Sequence, residues 1–326
     1  MASSAITVIS AQGSILNEIL DATYGIWSDG LSRSAYGRGD AAQLRTPWGQ
    51  LHLSRLALVD GDLLLASARQ YELSAVLEGR PVRVLGLGAL FTQPAHRGRG
   101  HARRLVEQII GRASQQGFGL ALLFSEIGTE YYAPLGFAPI EMRDVILRVI
   151  ESPRYGAPAT MIRGGDDRDL AAIAAMGRAR AEACRFHLDR DPDFIKYAIA
   201  RKRLRAGLGP AGARELHFFI AEEGAEAAAY VVLSAGSGEW ILEECGDRDP
   251  SGARVGAMLQ ALVAREPAER RLPIRGWLPR GFLPPQLEVV ETRVPSELMM
   301  IRVLTDARRS PALEAGDVLY WRGDLI

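Results

Sequence analysis

Apolar residues in the first half of the chain change period several times, and each change marks an element. In residues 14–24, Ile15, Ile19, Leu20 and Tyr24 fall on one face at helical spacing. Across 51–59 the spacing drops to two: Leu51, Leu53, Arg55, Ala57 and Val59 share a face, as in a half-buried strand. Asp60-Gly61-Asp62 offers a turn, 63–76 returns as a strand, and Glu78-Gly79-Arg80-Pro81 turns the chain again. The run VRVLGLGALFT, 82–92, is the most strand-like in the sequence. Its glycines, Gly86 and Gly88, predict a distortion or a close approach of other backbone. Three consecutive antiparallel strands are expected. An amphipathic helix follows over 102–113, with Leu105, Ile109 and Ile110 inward and Arg103, Arg104 and Gln108 outward, ended by Gly117 and Gly119. A buried strand is expected over 120–124, one or two helical turns over 129–135, and further strands over 137–149.

The second half repeats this order. Helices are predicted over 169–184 and 192–205, and strands over 216–221, 227–234 and 239–244. A loop at 246–253, a helix over 255–265 and a strand over 273–278 complete it. Helices, three strands, loop, helix, strand is an internal repeat of pattern without strong identity. The Pro- and Gly-containing stretch ESPRYGAP, 151–158, reads as the linker, giving domains 1–152 and 159–326. The fold class is α+β: two domains, each a mixed, mainly antiparallel sheet flanked by helices.

Composition adds mostly exclusions. With 326 residues, 48% hydrophobic and 24% charged, the chain reads as an ordinary soluble protein long enough for two domains. Lys plus Arg and Asp plus Glu both number 39, so bulk charge gives no reason to expect nucleic acid or a membrane surface. The two cysteines, Cys184 and Cys245, lack metal-ligand spacing and fit a reducing compartment. No metal is expected. Neither a signal peptide nor an apolar run of membrane-spanning length is evident, so a cytoplasmic location is expected.

The chemistry concentrates in Gln93-Pro94-Ala95-His96-Arg97-Gly98-Arg99-Gly100-His101-Ala102, between a strand and a helix. A helix start presents unpaired N–H groups and a positive dipole end, and small residues admit an anion close to them. Arg97 and Arg99 add charge, and His101 adds more when protonated. The Gly-Lys-Ser/Thr ending of a Walker loop is absent. A dinucleotide fingerprint needs a third glycine and a parallel unit. A solvent-exposed basic turn is the plain alternative.

A second segment, LFSEIGTEYYAPLGF at 123–137, shifts that balance. Arg97-Gly98-Arg99-Gly100-His101-Ala102 fits the pattern Arg/Gln, two residues, Gly, one residue, Gly/Ala. Tyr132 to Phe137 fits Tyr, three residues, Gly-Phe. Together the two resemble the GNAT superfamily of acyl-CoA-dependent N-acetyltransferases, well over 50–140 and less outside it. The resemblance implies acetyl-CoA as co-substrate, with its pyrophosphate on the amides of Arg97, Gly98, Arg99, Gly100, His101 and Ala102. It also implies that the main chain of Phe91 and Thr92 holds the pantetheine arm and acetyl carbonyl, and that Tyr132 is the acid for the departing thiolate. A core aromatic packed on Phe137 is the alternative for Tyr132.

The base is open. The central strand 82–92 has no carboxylate. Glu126 ranks first because it follows the strand ending at Phe124; Glu130, Glu72, His52, the terminal carboxylate of Ile326 and a water remain. In the second half, Asp247 and Asp249 in the corresponding loop would repel a pyrophosphate, so no CoA is expected there. Glu243 and Glu244 read either as exposed strand-end charges or as facing a cationic substrate. Arg201-Lys202-Arg203 reads as a solvated helix face. The segments from Trp27 to Trp48 and 91–137 are similar to fungal lysine N6-acetyltransferases acting on the free amino acid, and less similar to the enhanced-intracellular-survival aminoglycoside acetyltransferases. Free lysine or another small amine is therefore the first acceptor expected. Acetylation of a protein amine, a non-catalytic acetyl-CoA sensor and an inactive scaffold are the alternatives. Nothing in the sequence sets the oligomeric state.

Overall fold

The computed structural model describes residues 5–150, 161–236, 238–304 and 312–326. Along the chain run β1 (Ile6–Ser10), α1 (Gly13–Trp27), α2 (Arg33–Arg45), α3 (Pro47–His52), β2 (Leu53–Asp60), β3 (Leu63–Leu77), β4 (Arg80–Thr92), α4 (His101–Gln115), β5 (Leu120–Ser125) and β6 (Ala138–Pro139). They are followed by β7 (Asp144–Val149), β8 (Met161–Gly164), α5 (Leu170–Ala181), β9 (Phe186–Leu188), α6 (Pro192–Leu208), β10 (Arg214–Glu223), β11 (Glu226–Gly236) and β12 (Trp240–Asp247). Last come α7 (Ala253–Arg265), β13 (Ile274–Gly276), β14 (Leu287–Arg293), β15 (Leu298–Val303) and β16 (Val318–Leu319).

Contacts divide the chain into two compact units. Unit 1 is Met1–Glu141 with Ser296–Ala312 and Ile326; unit 2 is Met142–Pro295 with Leu313–Leu325. The expected division into 1–152 and 159–326 gives way to an interleaved one, for a pairing reason. β7 hydrogen-bonds to β13 and β14, and β15 hydrogen-bonds to β5, so each strand joins a sheet assembled from residues distant in sequence. The predicted linker at 151–158 lies outside the described residues.

In unit 1 the strand order is β1-β2-β3-β4-β5-β15-β6. β1 to β4 are successively antiparallel, and β5 lies parallel to β4. Alternation along β2 decides which helix covers which face. Leu58 packs with Leu85, Leu87 and the α4 residues Leu105, Val106, Ile109 and Ile110. Ala57 and Val59 pack with Leu64 and Ile19 of α1. Burying one such leucine contributes about 2 kcal/mol. Leu51 and His52 belong to α3 rather than to the strand: Pro47 opens that helix and the Thr46 hydroxyl accepts from the Gly49 amide at 3.0 Å. Of the predicted helical turns at 129–135, only Ala133–Leu135 forms one.

Unit 2 has the order β14-β7-β13-β12-β11-β10-β8. β10, β11 and β12 form an antiparallel meander, and β13 is parallel to β12. The wiring repeats that of unit 1: meander, loop, helix, parallel strand. Both sheets are mixed, mostly antiparallel and flanked by helices, as the fold class expected.

Candidate active site

β4 and β5 run in register only from Val84 opposite Leu120 to Leu87 opposite Leu123. Beyond that point β4 continues to Thr92 and β5 to Ser125 with no pairing between them, so the two strands part, while β15 lines the other edge of β5 throughout. β4 bulges where they separate. Arg69 of β3 opposes Gly88 and Ser67 opposes Phe91, so Ala89 and Leu90 together face one residue. Ala89 takes φ +46°, a left-handed conformation that costs a residue with a Cβ about 1–2 kcal/mol. The close approach predicted from the glycines is present. A Cβ on Gly86 would stand 2.6 Å from Cδ1 of Ile326 and 2.9 Å from Cβ of Tyr71. One on Gly88 would stand 3.0 Å from the Ile326 carbonyl carbon.

The loop after β4 turns tightly. The Gln93 amide donates to Leu65 O at 3.1 Å, Pro94–His96 form a single 3-10 turn, and the His96 amide donates to Gln93 O at 2.8 Å. Gly98 and Gly100 then adopt φ +75° and +78°, which only glycine holds without strain. Gly100 caps α4, whose first bond is Arg104 N–H to Gly100 O at 2.9 Å. Among the described residues, no protein acceptor meets the amides from Gly98 to Arg103. A row of N–H groups at a helix start is a ready site for a diphosphate. Arg97 and Arg99 are exposed beside it, and Arg97 Nε reaches back to Thr92 O at 3.4 Å. His101 contributes less than its protonated form would. Partial burial, then His96, Arg99 and Arg104, hold its pKa below the ordinary 6.5, so it is neutral at pH 7. Phe91 is buried and Thr92 half-buried at the end of β4, where β5 supplies no register partner.

Tyr132 lies past the end of β5. Ser125 Oγ donates to Gly128 O and accepts from Ile127 N–H, which folds the intervening loop; the Tyr132 amide donates to Thr129 O at 3.1 Å. Its ring meets Tyr131 and Phe137 edge-on, with centroids at 4.9 and 6.0 Å. Tyr132 is buried in the same core as α4. Burial first, then the neighbouring Tyr131 and Glu126, push its phenol up to about 12. The proton is thus held throughout the neutral range, the state an acid must start from.

The base candidates scatter. Glu126 is exposed just past β5, with its charge felt at Tyr132. Glu130 is exposed, its carboxylate folded over Gly128. Glu72 is paired with Arg83 at 3.2 Å. His52 stacks on Trp48 with ring centroids 4.9 Å apart. Ile326 brings its main-chain carbonyl to Gly88. A buried ionic cluster on the β2–β3 face toward α2 was missed in the sequence. Asp40 accepts from Arg55 Nη2 at 2.6 Å and from Arg69, and Arg69 sits between Arg55 and Gly88 across the ladder. Burial raises the Asp40 pKa, but Arg69 and Arg55 outweigh it and hold the carboxyl below the usual range. The signal was Arg55 alone among apolar residues on one strand face.

Unit 2 repeats the backbone plan with different contents. β12 and β13 pair from Trp240 opposite Ile274 to Leu242 opposite Gly276 and then part, with a bulge at Glu243. Trp321 fills the gap, packed with Leu242, Cys245 and Trp277, its ring 6.3 Å from that of Trp277. A turn at Arg322–Asp324 follows, with Gly323 against the Glu243 main chain. Gly252 caps α7 at φ +71°, as Gly100 caps α4. Here the amides are taken. The Asp247 carboxylate accepts from the amides of Asp249 and Arg254, both at 2.9 Å, and Val255 at 3.3 Å, and from Arg254 Nη1 at 3.1 Å. Glu243 and Glu244 are neither exposed nor free for a substrate. Glu243 accepts from Ser234 Oγ at 2.6 Å and pairs with Lys202 at 2.8 Å, and Glu244 accepts from Arg190. The expected solvated face at Arg201-Lys202-Arg203 holds only for Arg203; Arg201 donates to Gly323 O at 2.8 Å.

Residues 22–140 match the acetyltransferase (GNAT) domain family. That match supports an N-acetyltransferase, with an acyl-CoA as co-substrate. No curated protein matches the chain in sequence. Among solved structures, a GCN5-related N-acetyltransferase from Kribbella flavida is 18% identical over 92% of this chain and 71% of its own, at TM-score 0.68. Eis1 from Mycobacterium abscessus is 14% identical over 92% and 74%, at TM-score 0.57. Saccharomyces cerevisiae N-myristoyltransferase with bound myristoyl-CoA is 8% identical over 93% and 83%, at TM-score 0.56. These likenesses show the shared fold. Among the described residues no helix is long and apolar enough to cross a membrane, and no His, Cys, Asp and Glu cluster is built to hold a metal.

Proposed function

We propose that the chain transfers acetyl from acetyl-CoA to a primary amine of a small molecule, free lysine first, by direct attack in a ternary complex. The observation that carries this reading is the row of amides from Gly98 to Arg103, unclaimed among the described residues, beside a bulged and splayed β4. In this assignment the amides from Gly98 to Ala102 hold the pyrophosphate, while the Arg97 amide, bonded to Pro94 O at 3.4 Å, leaves only its side chain for the anion. The main chain of Phe91 and Thr92 aligns the pantetheine arm and polarises the acetyl carbonyl. Tyr132 protonates the thiolate as it leaves; its raised pKa supports the role because the proton is in place at neutral pH. Glu126, exposed just past β5, is assigned as the base, acting on the amine through water.

Thiol release with acetyl-CoA, screened over lysine, polyamines, aminoglycosides and peptide amines, tests the reading. Turnover of lysine or a small polyamine is the expected result. Turnover of peptide amines alone moves the acceptor to proteins. Tight acetyl-CoA binding with no release from any amine makes the chain a sensor. Glu126→Gln tests the base: unchanged turnover removes Glu126 from that role.

A further inference from the structure

The segment filling the parted strands of unit 2 is held by charge in a nearly dry place. Asp324, at the end of its turn, has a carboxylate oxygen 3.0 Å from Arg190 Nε, and Arg190 also donates to Glu244 of β12. The Arg190 side chain is 10% exposed, Glu244 1% and Asp324 0%. One guanidinium therefore faces two carboxyl groups.

Most of the surrounding charges are already engaged, and among them Arg201 adds a weaker attraction to Asp324. On α6, Lys202 is matched by Glu243, and Arg201 reaches the Gly323 carbonyl rather than a carboxylate. Arg322, in the same turn, holds Asp144 of β7 at 2.8 Å, and Arg275 of β13 lies 3.3 Å from that aspartate. The Cys245 thiol of β12 and the Tyr230 phenol of β11 are buried and uncharged, with burial raising both pKa values. Glu244 Oε1 and the Tyr230 hydroxyl have no hydrogen-bond partner among the described residues. Two carboxylates drawn to the same guanidinium in a low dielectric repel each other, and one proton between them removes the repulsion and supplies the missing donor.

We propose that Glu244 and Asp324 share one proton, and that this proton latches the 320–324 segment into the cleft of unit 2. Its loss sets two carboxylates against Arg190 and loosens the segment. Burial, the largest effect, raises the pKa of both Glu244 and Asp324, with Arg190, and for Asp324 also Arg201, pulling the other way. The sign follows. A carboxyl group raised in the closed state and ordinary in the open one holds the latch fully below its ordinary pKa. The hold weakens as pH rises through the raised value.

Backbone hydrogen exchange of the full chain, followed at 320–325 and corrected for intrinsic rate, tests this. The opening equilibrium should rise by up to about tenfold per pH unit within the window from about pH 5 to about pH 8. Amides of β3 should show no such slope. Glu244→Gln supplies a fixed neutral donor, so its 320–325 segment should show no slope, and Asp324→Asn should behave alike. Constant protection in the wild-type chain across that window overturns the proposal, whether or not either variant folds. A slope retained in a folded amide variant overturns it too.

Discussion

The two helix-start loops, 93–100 before α4 and 248–252 before α7, share a backbone plan and differ in what meets their amides. Both follow a bulged strand, and both end in a left-handed glycine cap, Gly100 or Gly252. In the first loop the strand ends in Thr92 and the amides from Gly98 to Arg103 find no acceptor among the described residues. In the second it ends in Asp247, whose carboxylate takes three amides and a guanidinium N–H. A helix start needs negative charge and acceptors. One loop leaves that need to an outside anion and the other satisfies it with its own side chain. The parted strands show the same contrast, since those of unit 2 are filled by Trp321. Duplicated wiring thus does not duplicate a site; one residue at a strand end decides whether the anion comes from inside or outside.

The largest expected effect falls on chemistry. Tyr132→Phe should lower kcat about 100-fold or more while leaving the acetyl-CoA Kd unchanged. Stopped-flow turnover beside calorimetric binding checks it, and unchanged turnover removes Tyr132 from the mechanism. Next comes a transplant of the second loop's device into the first. Thr92→Asp should weaken acetyl-CoA by at least about tenfold, because a carboxylate there competes for the amides or repels the diphosphate. Equal affinity in wild type and variant would break the comparison. The reverse change is a matter of stability. Asp247→Ala should cost about 2 kcal/mol in denaturant unfolding, from the lost cap and the orphaned amides. A cost near zero would mean that water serves those amides equally well. The smallest effect is at His101. With its pKa held below 6.5, it is uncharged from pH 7 upward. His101→Gln should therefore shift the acetyl-CoA Kd by less than about threefold at pH 7.5. A larger loss would show that the ring makes a contact of its own.

Much of unit 1 was legible because its signals are local. Period-two alternation marked β2, turn signals and strand-like runs marked β3 and β4, and the α4 face followed from Leu105, Ile109 and Ile110. Gly86 and Gly88 announced a close approach, although not that Ile326 would make it. Tyr132 and the glycine loop stood out as paired motifs at a fixed separation. What stayed hidden depends on partners far apart in sequence. Glu243 and Glu244 read as strand-end charges, yet Lys202 and Arg190 draw them into the interior. Lys202 read as part of a solvated face for the same reason.

The sequence by itself determined the periodicities, the glycine positions with left-handed backbone and the residue types at each helix start, because these are set by φ/ψ sterics and side-chain alternation over a few residues. The tertiary structure decided the interleaving of the units, the burial of the ionic clusters and the direction in which Asp247 points. Those depend on which distant strands share hydrogen bonds and on how little water is left between charges, neither of which a local pattern encodes.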